Sequence, residues 1–157
     1  MRLNNKNVYP YRDFMQFDPA WARKDYGNVS DYSGKMAAAG CGVVAITNAV
    51  YALNGQFVDP MLFADYAVEK HYRIIGAGTH DGIFKAAAKK FGDTYGFTYI
   101  KTTYSTSEVR EYLKKGCVAI SHYLPLIGLL CCFFLWFCET VVHIFYLTVC
   151  QGTIFIH

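Results

Sequence analysis

Cys41 lies in the run Ala37-Ala38-Ala39-Gly40-Cys41-Gly42, which leads straight into an apolar helical pattern from Val43 to Val50. It is the first of six cysteines; Cys117, Cys131, Cys132, Cys138 and Cys150 all fall in the last 41 residues. The first turn of a helix offers N–H groups without intrahelical acceptors and a partial positive charge. A thiolate there is stabilised, and a cysteine pKa can drop from ~8.5 into the range ~3.5–7.5. Such a thiol is suited to nucleophilic catalysis. The competing reading is a buried structural cysteine, and the local sequence weighs the two evenly.

Other residues capable of chemistry make weaker patterns. His71 and His80 lie near predicted helix ends and read as surface or capping residues. His122 follows a predicted buried strand. Gly76-Ala77-Gly78-Thr79-His80-Asp81-Gly82 has the outline of a phosphate loop, but its third glycine is one position late and no strand clearly precedes it. Cys131, Cys132, Cys138 and His143 could be drawn as a zinc site. They lack the Cys-x2-Cys spacing and sit among apolar residues, so neither a metal nor a cofactor is expected.

The elements that must position Cys41 can be read from caps and periodicity. Residues 4–34 form an irregular arm, with one helical turn over Pro19–Lys24. A helix over Cys41–Leu53 is closed by Asn54-Gly55. Asp59-Pro60 opens a second, with Asp as N-cap and Pro at the first helical position. Thr79 is expected to cap a third helix through Phe91, stopped by Gly92. Phe97–Thr102 alternates as a strand. Ser105 and Glu108 form a capping box for a helix over Val109–Lys115, stopped by Gly116, and Cys117–Ser121 reads as a buried strand.

A chain of 157 residues can form one domain with a real core. The net charge of +3 comes with no basic face, so no nucleic-acid partner is expected. Residues 1–14 contain no apolar stretch of signal-peptide type. A cytoplasmic location with reduced cysteines is therefore expected. The charge is unevenly spread, since Glu139 is the only charged residue after Gly116. Residues 124–138 carry no charge, yet 15 residues are short of the ~20 that a spanning helix needs. A hairpin, a membrane segment and an out-of-frame translation are three readings of this tail.

The ordered set Met15-Gln16-Phe17-Asp18-Pro19-Ala20-Trp21, Ala39-Gly40-Cys41-Gly42, Leu53-Asn54-Gly55, Val58-Asp59-Pro60, Gly76-Ala77-Gly78-Thr79, Phe84–Gly92 and Val109–Gly116 resembles the bacterial C39-like, papain-fold cysteine peptidase family. The resemblance covers about residues 8–121. It implies a site built on Cys, His and Asp or Asn, with a glutamine at the oxyanion hole. Cys41 matches the nucleophile and Gln16 the glutamine; Gln16 could otherwise be a solvated arm residue. Val43 stands where many relatives have proline.

The nearest match to the family's histidine is His143, in Val142-His143-Ile144-Phe145, although the preceding glycine is missing and the aromatic comes one residue late. No Asp or Asn follows it. Reading Thr140–Val149 from the third base of each degenerate codon permits the family's Gly-x-His-Phe-Leu-x-x-Gly-Val. This favours a frameshift between about Ala119 and Leu130 over a divergent tail or a membrane segment, and re-sequencing the DNA decides it.

The resemblance thus implies an α+β, papain-like fold, with a helical part led by the Cys41 helix and packed on an antiparallel sheet. Residues 1–121 form the papain-like domain, and 122–157 are an aberrant apolar tail in place of the histidine-bearing strands. The implied chemistry is thiolate attack by Cys41 on a peptide or other amide, with His143 as base, Gln16 as oxyanion donor and no cofactor. The alternative is a non-catalytic papain-fold module that binds peptides or attaches to a membrane through 124–138.

Overall fold

The structure is a computed structural model, and it describes residues 13–27, 32–123, 131–135 and 150–156. A short helix α1 (Met36–Ala39) ends at Gly40 and is followed at once by α2 (Cys41–Asn54). Every residue of α2 from Gly42 to Val50 is buried, so tertiary packing on all sides stabilises this helix. Gly55 closes α2 at φ 74°, and its N–H bonds to the Tyr51 carbonyl. The α3 helix (Pro60–Glu69) starts as its sequence dictates: the Asp59 carboxylate accepts from the Met61 N–H, and Pro60 fills the position that needs no donor.

Between α3 and the next helix lies a small antiparallel hairpin, β1 (Arg73–Ile74) and β2 (Gly78–Thr79). The Ala77 N–H bonds to the Ile74 carbonyl, and Gly76 sits at the third turn position with φ 78°. That conformation is one a glycine adopts without strain. Thr79 is thus a strand residue and caps no helix. The helix α4 runs over Gly82–Tyr95 and ends at Gly96 in the left-handed conformation. Gly92 is not its stop signal. A Cβ there would lie 2.4 Å from the Phe97 carbonyl oxygen, so Gly92 lets the departing chain fold back against the helix.

The α5 helix (Thr106–Lys114) begins with half of the expected capping box. Ser105 Oγ accepts from the Glu108 N–H at 3.3 Å. The Glu108 carboxylate does not turn back to Ser105; it bonds to Thr103 Oγ1 and to Lys101 Nζ. β3 (Thr98–Thr103), β4 (Val118–Tyr123), β5 (Cys131–Leu135) and β6 (Cys150–Ile156) form one antiparallel sheet in the order β3-β6-β4-β5. The protein is therefore a mixed α+β chain with a small antiparallel sheet, and α2 packs against β4 and β5.

The described parts of the apolar tail are strands. β6 pairs with β3 from Thr98↔Ile156 to Thr103↔Gly152, and β4 pairs with both β5 and β6. The expected boundary between residues 121 and 122 falls inside β4. A membrane helix over 124–138 is not what forms, because 131–135 is β5. Among the described residues no helix is long and apolar enough to cross a membrane.

Candidate functional site

Cys41 is the first residue of α2, partly exposed, while the residues that follow it are buried. The two glycines around it are explained by close approaches. A Cβ on Gly40 would meet the Met36 carbonyl oxygen at 2.7 Å, in the tight break between α1 and α2. A Cβ on Gly42 would lie 3.0 Å from the Thr79 Cβ, because β2 rests against the first turn of α2. Glycine thus lets the hairpin come up beside Cys41. Tyr26 Oη and Thr79 Oγ1, 2.7 Å apart, tie the hairpin to the arm.

Arg73 strengthens that tie. Its guanidinium donates to the carbonyls of Tyr26 at 2.9 Å, Ser33 at 2.8 Å and Gly78 at 3.0 Å, and also to Ile74. It lies 4.9 Å from the Tyr26 ring centroid, in cation–π range. Burial pulls the Arg73 pKa down from its usual value, yet a guanidinium stays charged across the physiological range.

The arm reaches the same place. Ala22 and Lys24 carbonyls accept the N–H groups of Ala37 and Met36, which lie in the first turn of α1 and lack acceptors within that helix. Gln16 Nε2 donates to the Ala37 carbonyl at 2.6 Å, one helical turn of chain before Cys41. The second N–H of that amide remains for another acceptor. Upstream, Asn48 on α2 holds Phe14 by both backbone groups: Oδ1 accepts the Phe14 N–H and Nδ2 donates to the Phe14 carbonyl, each at 2.9 Å. Trp21 Nε1 donates to the Met15 carbonyl at 3.0 Å.

His143, the expected base, and Cys138 lie outside the described residues. Among the described residues no cluster of His, Cys, Asp or Glu could hold a metal ion. His80 Nδ1 accepts the Gly82 N–H at 3.0 Å, at the start of α4. That nitrogen satisfies a backbone donor in the first turn of α4. His71 is exposed beyond the end of α3, at φ 61°. His122 is a β4 residue in register with Cys132 and Gln151. The glycine-rich segment 76–82 is the end of the hairpin turn, β2 and the two-residue link to Gly82, the first residue of α4.

Cys41 and Cys117 are both thiols outside any disulfide. Cys117 is 4% exposed, and burial pushes its pKa up against the opposing pull of Lys115. Sequence reasoning missed Asn48, Arg73 and Tyr26. The signal for Asn48 was present: Thr47-Asn48 is a polar pair inside an otherwise apolar helix, and buried polar groups need partners. Arg73 and Tyr26 gave no comparable signal, since their partners are backbone carbonyls set by the fold. Compared with known proteins, the chain matches no family model, no curated protein and no solved structure.

Proposed function

We propose that the chain is a papain-like cysteine hydrolase that cleaves an amide bond through an acyl-enzyme. Cys41 is the nucleophile, Gln16 supplies one oxyanion donor, and His143 is the base. The thiolate attacks the carbonyl carbon, a C–S bond forms, and the carbonyl π electrons move to oxygen. The oxyanion collapses, the C–N bond breaks and the amine leaves with the proton that the imidazole took from the thiol. Water then releases the acyl group. Donors fixed where the oxyanion develops lower the barrier most.

The observation that carries this reading is the convergence at one helix end. Cys41 opens a buried helix lying on an antiparallel sheet, and the Gln16 amide is anchored one turn before it. Alkylation with iodoacetamide across pH, read at Cys41 by peptide mass mapping, tests it. The expected outcome is a reactive Cys41 well below ~8.5; an ordinary thiol titration near ~8.5 excludes an activated thiolate–imidazole pair.

A second reading is a non-catalytic papain-fold module that binds peptides. It is favoured by Met15 and Phe17, 60% and 62% exposed on either side of Gln16. Unaltered peptide binding by the Cys41→Ala variant, with no turnover by the parent protein, supports this second reading. In the hydrolase reading the substrate is a peptide, a peptidoglycan cross-link or another amide.

A further inference from the structure

We propose that Asn48 is a positioning residue for Gln16, setting the oxyanion donor against the nucleophile by tying both to one helix; this rests on the hydrolase reading above. Asn48 follows Cys41 by seven residues in α2. At about 100° per residue, seven residues fall about 20° short of two full turns, so the two side chains leave the same face of the helix. They are separated along the axis by ~10.5 Å.

The arm spans much of that gap. Phe14 is clamped at Asn48 by two hydrogen bonds of 2.9 Å, and Gln16 docks on Ala37, one turn before Cys41. Two residues of chain cover at most ~7 Å of the ~10.5 Å, which leaves at least ~3.5 Å for the Gln16 side chain to bridge. The Asp18 N–H and the Trp21 indole both bond to the carbonyl of Met15, the residue between these two anchors, and hold the turn over Gln16 and Phe17.

Asn48 suits this task. It is 7% exposed, and its amide presents one acceptor and one donor to the two backbone groups of a single residue. Among the described hydrogen bonds, those two are its only side-chain bonds, so it contacts neither Cys41 nor the reacting atoms. Its effect must therefore pass through the arm.

Two probes separate the thiol from the oxyanion hole. Iodoacetamide reads thiolate attack alone. N-acetyl-phenylalaninal adds the thiolate to its carbonyl carbon: a C–S bond forms, and the carbonyl electron pair moves to an oxygen held by the oxyanion donors. With Gln16→Ala, aldehyde capture at Cys41 is expected to weaken by about 10²-fold, with iodoacetamide labelling unchanged. Asn48→Ala should do the same, the double variant should lose no more than either single one, and Asn48→Ser should recover part of the loss.

Nuclear magnetic resonance keeps the folding question separate. Asn48→Ala should speed hydrogen exchange at the Phe14 amide and shift the Gln16 side-chain resonances, while the amides from Val44 to Val50 stay protected. If the parent protein captures the aldehyde and Asn48→Ala captures it equally well, the role given to Asn48 is overturned. The same follows if both probes slow together in Asn48→Ala. A parent protein that takes up iodoacetamide at Cys41 but never the aldehyde overturns the oxyanion reading itself, and Asn48 with it.

Discussion

The segment around Cys41 and the segment around Cys117 rest against the same sheet and are held there by opposite means. The α2 helix is buried from Gly42 to Val50, while Cys41 at its start and Tyr51 to Asn54 at its end are partly exposed. The α5 helix has no buried residue; it is fixed by Ser105 and Glu108 at its start and by turns at its end, where the Tyr112 carbonyl accepts the N–H groups of Lys115 and Cys117. Behind it, Cys117 is the buried residue. In one region a buried helix presents a thiol; in the other an exposed helix hides one. The difference lies in which residue of each segment meets water: Cys41 at the start of α2 is partly exposed, and Cys117 just before β4 is buried.

The largest effect expected from this contrast is on stability. Ile46 is wholly buried in the middle of α2. Its truncation to alanine removes three carbons from a packed interior and should cost about 2–5 kcal/mol. Val109 is only half-buried on α5, and its truncation should cost less than about 1 kcal/mol. Denaturant unfolding of both variants measures the difference. Equal losses would show that α5 is held by packing after all.

The second effect is on the pH dependence of folding. Burial raises the pKa of Cys117 in the folded state, from an ordinary value of 9.0. Above that value the unfolded chain has lost this proton while the folded chain still holds it. Stability is therefore intact below pH 9.0 and falls as the pH rises toward the folded pKa. In Cys117→Ala this part of the alkaline loss disappears. An alkaline unfolding curve identical in parent and variant would break the comparison at Cys117.

The Cys41 side was the more legible in the sequence. Asn54-Gly55 and Asp59-Pro60 mark their helix ends by local chemistry alone, and both ends fall where expected. Gly92 misled because a glycine required for a close approach looks the same as one required for a left-handed turn; Gly96, four residues on, is the one in that turn. The β1–β2 hairpin was invisible because two-residue strands have no periodicity to read. The partner of β3 was equally hidden, for it is β6, about 50 residues further along the chain. At the site, Cys41 could be singled out from its neighbours. The anchoring of Gln16 on Ala37 could not, since it depends on how the arm crosses α1.

The smallest effect sharpens the α5 side. The hydrogen bond from Thr103 Oγ1, then the contact with Lys101 Nζ at 2.9 Å, holds the Glu108 carboxyl below its usual pKa of 4.5. A carboxyl with a lowered folded pKa contributes stability above its unfolded pKa and loses it as the pH falls through the folded value. The window therefore lies below about pH 4.5. The Lys101 and Glu108 side chains are both partly exposed, and solvent screens such a pair strongly. Glu108→Gln can still cap the helix through Ser105 but cannot ionise. It should flatten the acid limb of the stability curve below pH 4.5 and lower neutral stability by the same small amount, so that parent and variant converge in acid. High salt should shrink the parent's acid dependence toward that of the variant. A variant that instead loses stability equally at all pH values would assign α5 to the geometry of the Thr103 and Lys101 contacts, with charge playing no part.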